Sequence, residues 1–343
     1  MTPSVGATLV VALFWSGTRP ALTVRLPCET PKTQNSLQSV FWRFLSPCSA
    51  IITSGVLPQK TIHGVTILEN PKSSSTKSLL WFFLLAFGFS WLIWLPPVLS
   101  SIGFFSLPVP HMAWVIMGAH GPLFASVVLT YKSGGWAAVK QLIRSGFELR
   151  MALGWWLAII FIPVVLTGVA VWINVVLNDY QPDTTLLKQP LMIVPTFLVM
   201  FFLGGSFQEE FGWRGYALPR LLTLWNPLVT SLFLGFIWGF WHLPLFYISG
   251  VSQSFMPFGI FLLLTTAFSI LFTCFFLRTS RNLFSALLFH TAINTALSLF
   301  PPIEQKIGGN QMALTYLMIA YACVSVLIVV KESTFWQNKV TST

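Results

Sequence analysis

From residue 79 onward the chain is a succession of apolar runs separated by short polar stretches. The runs cover 79–99, 112–131, 151–177, 190–207, 228–249, 258–277, 283–300 and 312–330. Most approach or pass the ~20 residues that an α-helix needs to cross a bilayer core. The pattern predicts an all-α fold: a polytopic membrane helical bundle of about eight transmembrane helices. One polar stretch, 132–150, places Trp136, Val139, Leu142, Ile143 and Phe147 at helical spacing against Lys140, Arg144 and Arg150. That spacing predicts an amphipathic helix on the membrane surface.

Residues 1–75 lack this pattern. They are rich in Ser, Thr and Pro, and their two apolar patches, 9–15 and 40–44, are too short to span a bilayer. They read as a disordered tail or as the product of a mis-assigned start, ahead of a helical domain at 76–335.

Lys and Arg alternate between the connecting stretches. Lys72 and Lys77 precede the first run, and Lys132, Lys140, Arg144 and Arg150 follow the second. Arg214 and Arg220 follow the fourth, Arg278 and Arg281 the sixth, and Lys331 and Lys339 the last. The intervening stretches hold only Lys188 and Lys306. By the positive-inside rule, both termini are expected in the cytoplasm of a multi-pass cell-membrane protein.

Composition narrows the class further. Only 8% of the residues are charged, against about 25% in a soluble domain, so the bilayer is the expected surrounding. The net charge of +10 then marks cytoplasmic loops facing anionic lipid, and no nucleic-acid partner is expected. The four cysteines have no CxxC spacing, which argues against a disulfide framework or a cysteine metal site.

The chemistry concentrates at 204–215, Gly-Gly-Ser-Phe-Gln-Glu-Glu-Phe-Gly-Trp-Arg-Gly. Glu209 and Glu210 close an apolar run, where a carboxylate costs roughly 2.5–3.5 kcal/mol on insertion scales. Side by side they repel if both are ionised, so a cation neutralises them or one keeps its proton. Arg214 lies four residues after Glu210, on the same helical face, and is the expected neutraliser. Gly204, Gly205, Gly212 and Gly215 allow close helix approach around the acids.

Two further runs carry polar groups, His242 in the fifth and His290 with Asn294 in the seventh. His290 and Asn294 are four apart and share a face. A lone His or Asn in a span is commonly interhelical hydrogen-bonding glue, and His120, with no polar residue at helical spacing, reads that way. Paired acids with an arginine, two imidazoles and an amide exceed what glue requires.

Glu can act as general base toward water, with His sharing the proton or binding a metal. A second His and an Asn can donate to an oxyanion. HExxH and GxSxG are absent, which disfavours two commoner hydrolase solutions.

At these residues the chain resembles the CPBP family of intramembrane proteases, which includes the type II CAAX prenyl endopeptidases and bacteriocin-immunity and processing proteins. Glu209, Glu210 and Arg214 match its EExxxR motif, and His290 and Asn294 match its HxxxN motif. His242 meets FxxxH, with Trp238 at the Phe position as a substitute aromatic wall. The resemblance covers about 79–330. It implies an intramembrane endopeptidase in which Glu209 and His242 activate water, His290 and Asn294 stabilise the oxyanion, and Glu210 and Arg214 hold the carboxylate geometry.

Glu209, His242 and His290 offer a zinc ligand set, and equally a metal-free arrangement. A peptide or protein is the expected substrate. The readings from other classes are a transporter with a Glu/His relay and a non-catalytic immunity or scaffold protein on the same fold.

On these span limits the motif sits at the cytoplasmic end of the fourth run, and the shared cavity is expected to open toward the cytoplasm. At ~1.5 Å per residue, His290 then lies about 10 Å deep and His242 nearer 20 Å. A single site therefore requires the fifth span to start later or to tilt.

Overall fold

The computed structural model describes residues 71–303 and 311–338, so most of the expected tail, 1–70, lies outside the described residues. Among the described residues every regular element is helical. Among the described residues seven stretches are long and apolar enough to cross a membrane: Thr76–Ser101, His111–Ser145, Leu153–Asn178, Pro190–Leu224, Pro227–Tyr247, Phe258–Arg278 and Gln311–Lys331. The chain is a multi-pass membrane protein. Leu92, Leu153, Leu191 and Val330 are among the large apolar side chains left exposed, as lipid-facing residues should be.

An eighth apolar helix, Leu283–Leu299, has 17 residues. It is about 25 Å long at ~1.5 Å per residue, short of the ~30 Å core. Nearly all of it is buried, so its neighbours supply the surroundings that lipid would otherwise provide. The expected count of about eight thus resolves into seven full spans and one short interior helix.

In chain order, α1 is Pro71–Ser101, α2 His111–Gly118, α3 Gly121–Ser145 and α4 Leu153–Asn178. The second span is therefore broken at Ala119-His120, where His120 Nδ1 bonds the Ile116 carbonyl oxygen at 2.9 Å. Within α3, Gly134 and Gly135 have non-helical φ/ψ of −149°/16° and 63°/−163° and divide the range into two helices across a kink. The second of these, ending at Ser145, falls within the stretch expected as a surface helix.

The fourth span differs most from the sequence reading. It comprises α5 (Ile193–Phe202), α6 (Ser206–Gly212), a π-turn at Trp213–Ala217, and α7 (Leu218–Leu224). The acidic motif does not end it. Leu218, Leu221 and Leu222 carry the apolar face onward and are buried. The polar cluster had masked this continuation in the hydropathy pattern.

The remaining elements are α8 (Pro227–Trp241), α9 (Phe258–Arg278), α10 (Leu283–Leu299), α11 (Gln311–Lys331) and α12 (Ser333–Gln337). Asn226 caps α8 by accepting from the Val229 N–H at 2.9 Å, and Asn282 caps α10 by accepting from Phe284 at 2.8 Å.

Aromatic packing locks α1 to the fourth and fifth spans. Phe82 stacks on Tyr216 with centroids 5.2 Å apart and meets Trp213 edge-on at 5.4 Å. Trp213 in turn meets Trp241 at 5.7 Å, and Trp241 meets Trp94 at 4.8 Å. Gly212 lets α3 approach α6: a Cβ there would stand 2.5 Å from the Pro122 carbonyl oxygen. These contacts fix the height of the acidic pair.

Candidate active site

The site begins at the break between α5 and α6. Gly205 has φ +106°, a conformation open to glycine and costly for other residues. Its N–H donates to Gln208 Oε1 at 2.9 Å, which ties the break to the first turn of α6. Glu209 lies in that turn and Glu210 directly after it, on different sides of the helix.

Glu210 is fully buried. Arg214 Nη1 donates to both of its oxygens, at 2.9 and 3.0 Å, and His290 Nδ1 donates to Oε1 at 2.8 Å. The guanidinium carbon lies 3.7 Å from the Phe272 ring centroid and 4.7 Å from that of Trp238. Two aromatic faces thus help hold a cation that burial has stripped of water.

Glu209 faces the other way. Trp238 Nε1 donates to its Oε2 at 2.6 Å. Its Oε1 lies beside Gly205, where a Cβ would stand 2.6 Å from Oε1 and 3.3 Å from His290 Nε2. A carboxylate oxygen and an imidazole nitrogen therefore face the same small space.

His242 ends α8. The last turn of a helix leaves carbonyls without backbone partners, and His242 Nδ1 donates to one of them, Trp238 O, at 2.8 Å. A carbonyl only accepts, so Nδ1 carries the hydrogen and Nε2 remains available. Asn294 Nδ2 donates to Gly204 O at 2.6 Å, and Thr291 Oγ1 donates to Ser206 Oγ at 3.0 Å. With the His290–Glu210 bond, one face of α10 is fastened to the start of α6 at three successive points.

Glu209, His242, His290 and Asn294 line one cavity of about 520 Å³, together with Gly204, Gly205 and Trp238. Glu210 and Arg214 lie behind its wall. The six predicted site residues are thus brought together, four on the cavity and two beneath it. The expected mismatch in depth disappears once the fourth span continues to Leu224. Glu209 is 15 residues before Leu224 and His242 15 after Pro227, about 22 Å along each helix.

That continuation also corrects the expected side. The cavity extends from Glu209 to Met112, to the stretch 251–256 and to Pro301. These are the ends poor in Lys and Arg, opposite the ends that carry Arg150, Arg220 and Arg281. Its lining does not reach the Lys/Arg-rich side.

Among the described residues no three His, Cys, Asp or Glu side chains gather in a way that could hold a metal ion. Each imidazole donates its Nδ1–H to a protein acceptor, which leaves Nε2 free, and both rings pack edge-on against Trp238, at 5.7 and 5.6 Å. The zinc set read from Glu209, His242 and His290 is not gathered into a formed metal site among the described residues.

Two contributors were not legible as such. Trp238 was read as a wall, yet it is a hydrogen-bond donor to a predicted base; the indole N–H itself was the available signal. Phe272 carries no motif at all.

Residues 189–296 match the family model described as type II CAAX prenyl endopeptidase Rce1-like. That segment is similar to the Rce1-like endopeptidases. All six predicted site residues fall inside the matched segment. The chain is also 25% identical over 195 residues to CAAX prenyl protease 2 of Methanococcus maripaludis, covering 54% of this chain and 71% of that protein. The likeness stated from the three motifs is thus borne out by matches that extend beyond them.

Proposed function

We propose that this chain is an intramembrane endopeptidase that hydrolyses a peptide bond with a water activated by Glu209. The observation that carries the reading is the meeting of Glu209 Oε1 and His290 Nε2 beside Gly205, on a cavity that His242 and Asn294 also line. The Rce1-like match and the curated relative, a CAAX prenyl protease by name, support the same reaction class.

Glu209 takes a proton from water while His242 Nε2, held by the bond at Nδ1, accepts from its other hydrogen. The water oxygen bonds to the scissile carbonyl carbon, and the carbonyl electrons move onto oxygen. His290 and the remaining amide hydrogen of Asn294 stabilise that oxyanion. Collapse breaks the C–N bond, and Glu209 returns its proton to the leaving nitrogen. Glu210 and Arg214 touch neither water nor substrate in this scheme; they hold His290.

The test is cleavage of a fluorogenic peptide with a membrane anchor, in liposomes containing the purified chain. Cleavage by the native chain and its absence with Glu209→Gln support the reading. An intact peptide beside the native chain would return the choice to a transporter or a non-catalytic protein on this fold.

With the Lys/Arg-rich ends in the cytoplasm, the cavity of a cell-membrane protein would open on the opposite side. A cysteine-free variant carrying Ser252→Cys should then react with an impermeant maleimide on intact cells. Arg281→Cys should react only after lysis. The reverse labelling would invert the assigned orientation.

A further inference from the structure

Trp238 contacts Glu209, His242, Arg214 and His290, although the sequence suggests only a wall. Its Nε1–H donates to Glu209 Oε2 at 2.6 Å, and its carbonyl oxygen accepts from His242 Nδ1 at 2.8 Å. The Arg214 guanidinium carbon stands 4.7 Å from its ring centroid. His290 and Phe272 pack edge-on against the same ring, at 5.6 and 5.7 Å. Trp238 is 4% exposed and lines the cavity.

A carboxylate on a helix has freedom at its last torsion, so its two oxygens can exchange places. Here one oxygen is held by the indole and the other faces Gly205. We infer that Trp238 is a positioning residue for the general base: its N–H pins Glu209 Oε2 and so dedicates Oε1 to the water. This rests on the reading of Glu209 as base. The phenylalanine that stands at this place in the FxxxH motif has no donor, so the arrangement depends on this chain's own tryptophan.

A second consequence follows from the helix end. The same residue fixes His242 through its backbone carbonyl, which any side chain at 238 preserves. Changing the ring therefore separates the pinning of Glu209 from the orientation of His242.

The test compares Trp238→Phe with Trp238→3-benzothienylalanine, a replacement that keeps the bicyclic shape and lacks the N–H. Both should melt at nearly the native temperature and bind peptide with KM within about twofold, while kcat falls about 10- to 100-fold, the rate equivalent of one hydrogen bond to a charged group. Should only the phenylalanine variant misfold, the bicyclic variant carries the measurement alone. Native kcat in a stably folded bicyclic variant would overturn the inference.

A second readout does not depend on proteolysis. A lipid-soluble carbodiimide should label Glu209 several-fold faster, followed by mass spectrometry, once Oε2 is no longer held by a charge-assisted donor. Unchanged labelling would overturn the inference even if no peptide is cleaved. Faster labelling without any cleavage by the native chain would uphold the pinning and reject the protease reading.

Discussion

The floor beneath the cavity and the wall around it are built from adjacent glutamates, and they obey opposite rules. Below, Glu210 is saturated: both oxygens accept from Arg214, and one also from His290. Above, Glu209 has one oxygen held by Trp238 and the other facing the cavity beside Gly205. Neighbouring residues on a helix point about 100° apart, so one can be sealed into a packed knot while the next faces an opening. A saturated carboxylate resists both proton transfer and rearrangement. An incompletely satisfied one is ready to do chemistry. On the proposed reading, that difference separates the base from its support.

The largest effect should come from setting the two acids against each other. Glu209→Gln removes the base and keeps the shape, so turnover should fall about 10²–10⁴-fold, the range for general-base catalysis. Its melting temperature in detergent should stay near native. Glu210→Gln weakens the partner of a fully buried guanidinium, and breaking a buried pair costs about 3–5 kcal/mol. That variant should melt well below the native chain, with activity lost along with folded protein. Equal melting temperatures for the two variants would erase the distinction between floor and wall.

Asn294→Ala probes the upper region at a different point. One amide hydrogen goes to Gly204 O at 2.6 Å, and the other is assigned to the oxyanion. Loss of an oxyanion donor costs about 10²–10³-fold in kcat, with little change in KM. Peptide turnover against concentration measures this directly. A loss carried wholly in KM would make Asn294 a binding residue and confine it to its bond with the chain break.

Much of this contrast was legible in the sequence, and what was not has physical causes. Apolar runs of bilayer length are a strong signal because every spanning segment must satisfy its own backbone. The i, i+4 spacings placed Arg214 over Glu210 and Asn294 over His290 correctly. The end of the fourth span was misread because hydropathy falls wherever ionisable groups cluster, and at 208–214 they cluster inside a helix. That error moved the motif to a membrane face and turned the expected cavity toward the wrong ends. Side-chain direction was also out of reach. Spacing says that Glu209 and Glu210 diverge, but only packing against α8 and α10 decides which one meets the cavity. The positive φ of Gly205 had no separate signal, since four glycines flank the acids and only one needs that conformation.

Gly205 supplies the smallest expected effect and the finest test of the wall. An alanine there meets two obstacles: the backbone at φ +106°, and a Cβ position 2.6 Å from Glu209 Oε1 and 3.3 Å from His290 Nε2. The first costs about 1–3 kcal/mol of stability. The second is relieved by a small turn of the Glu209 carboxylate, because the atom struck is the far end of a side chain. A misplacement of 1 Å costs ~10²-fold in rate, so a shift of a few tenths should cost about tenfold or less. The loss should appear in kcat, and peptide affinity should hold. The floor should not notice the change, since neither close atom belongs to Glu210 or Arg214. Gly205→Ala is therefore expected to fold, to melt slightly early and to cleave slowly. If it instead unfolds as Glu210→Gln does, the break at Gly205 supports the buried knot as well, and floor and wall are one unit.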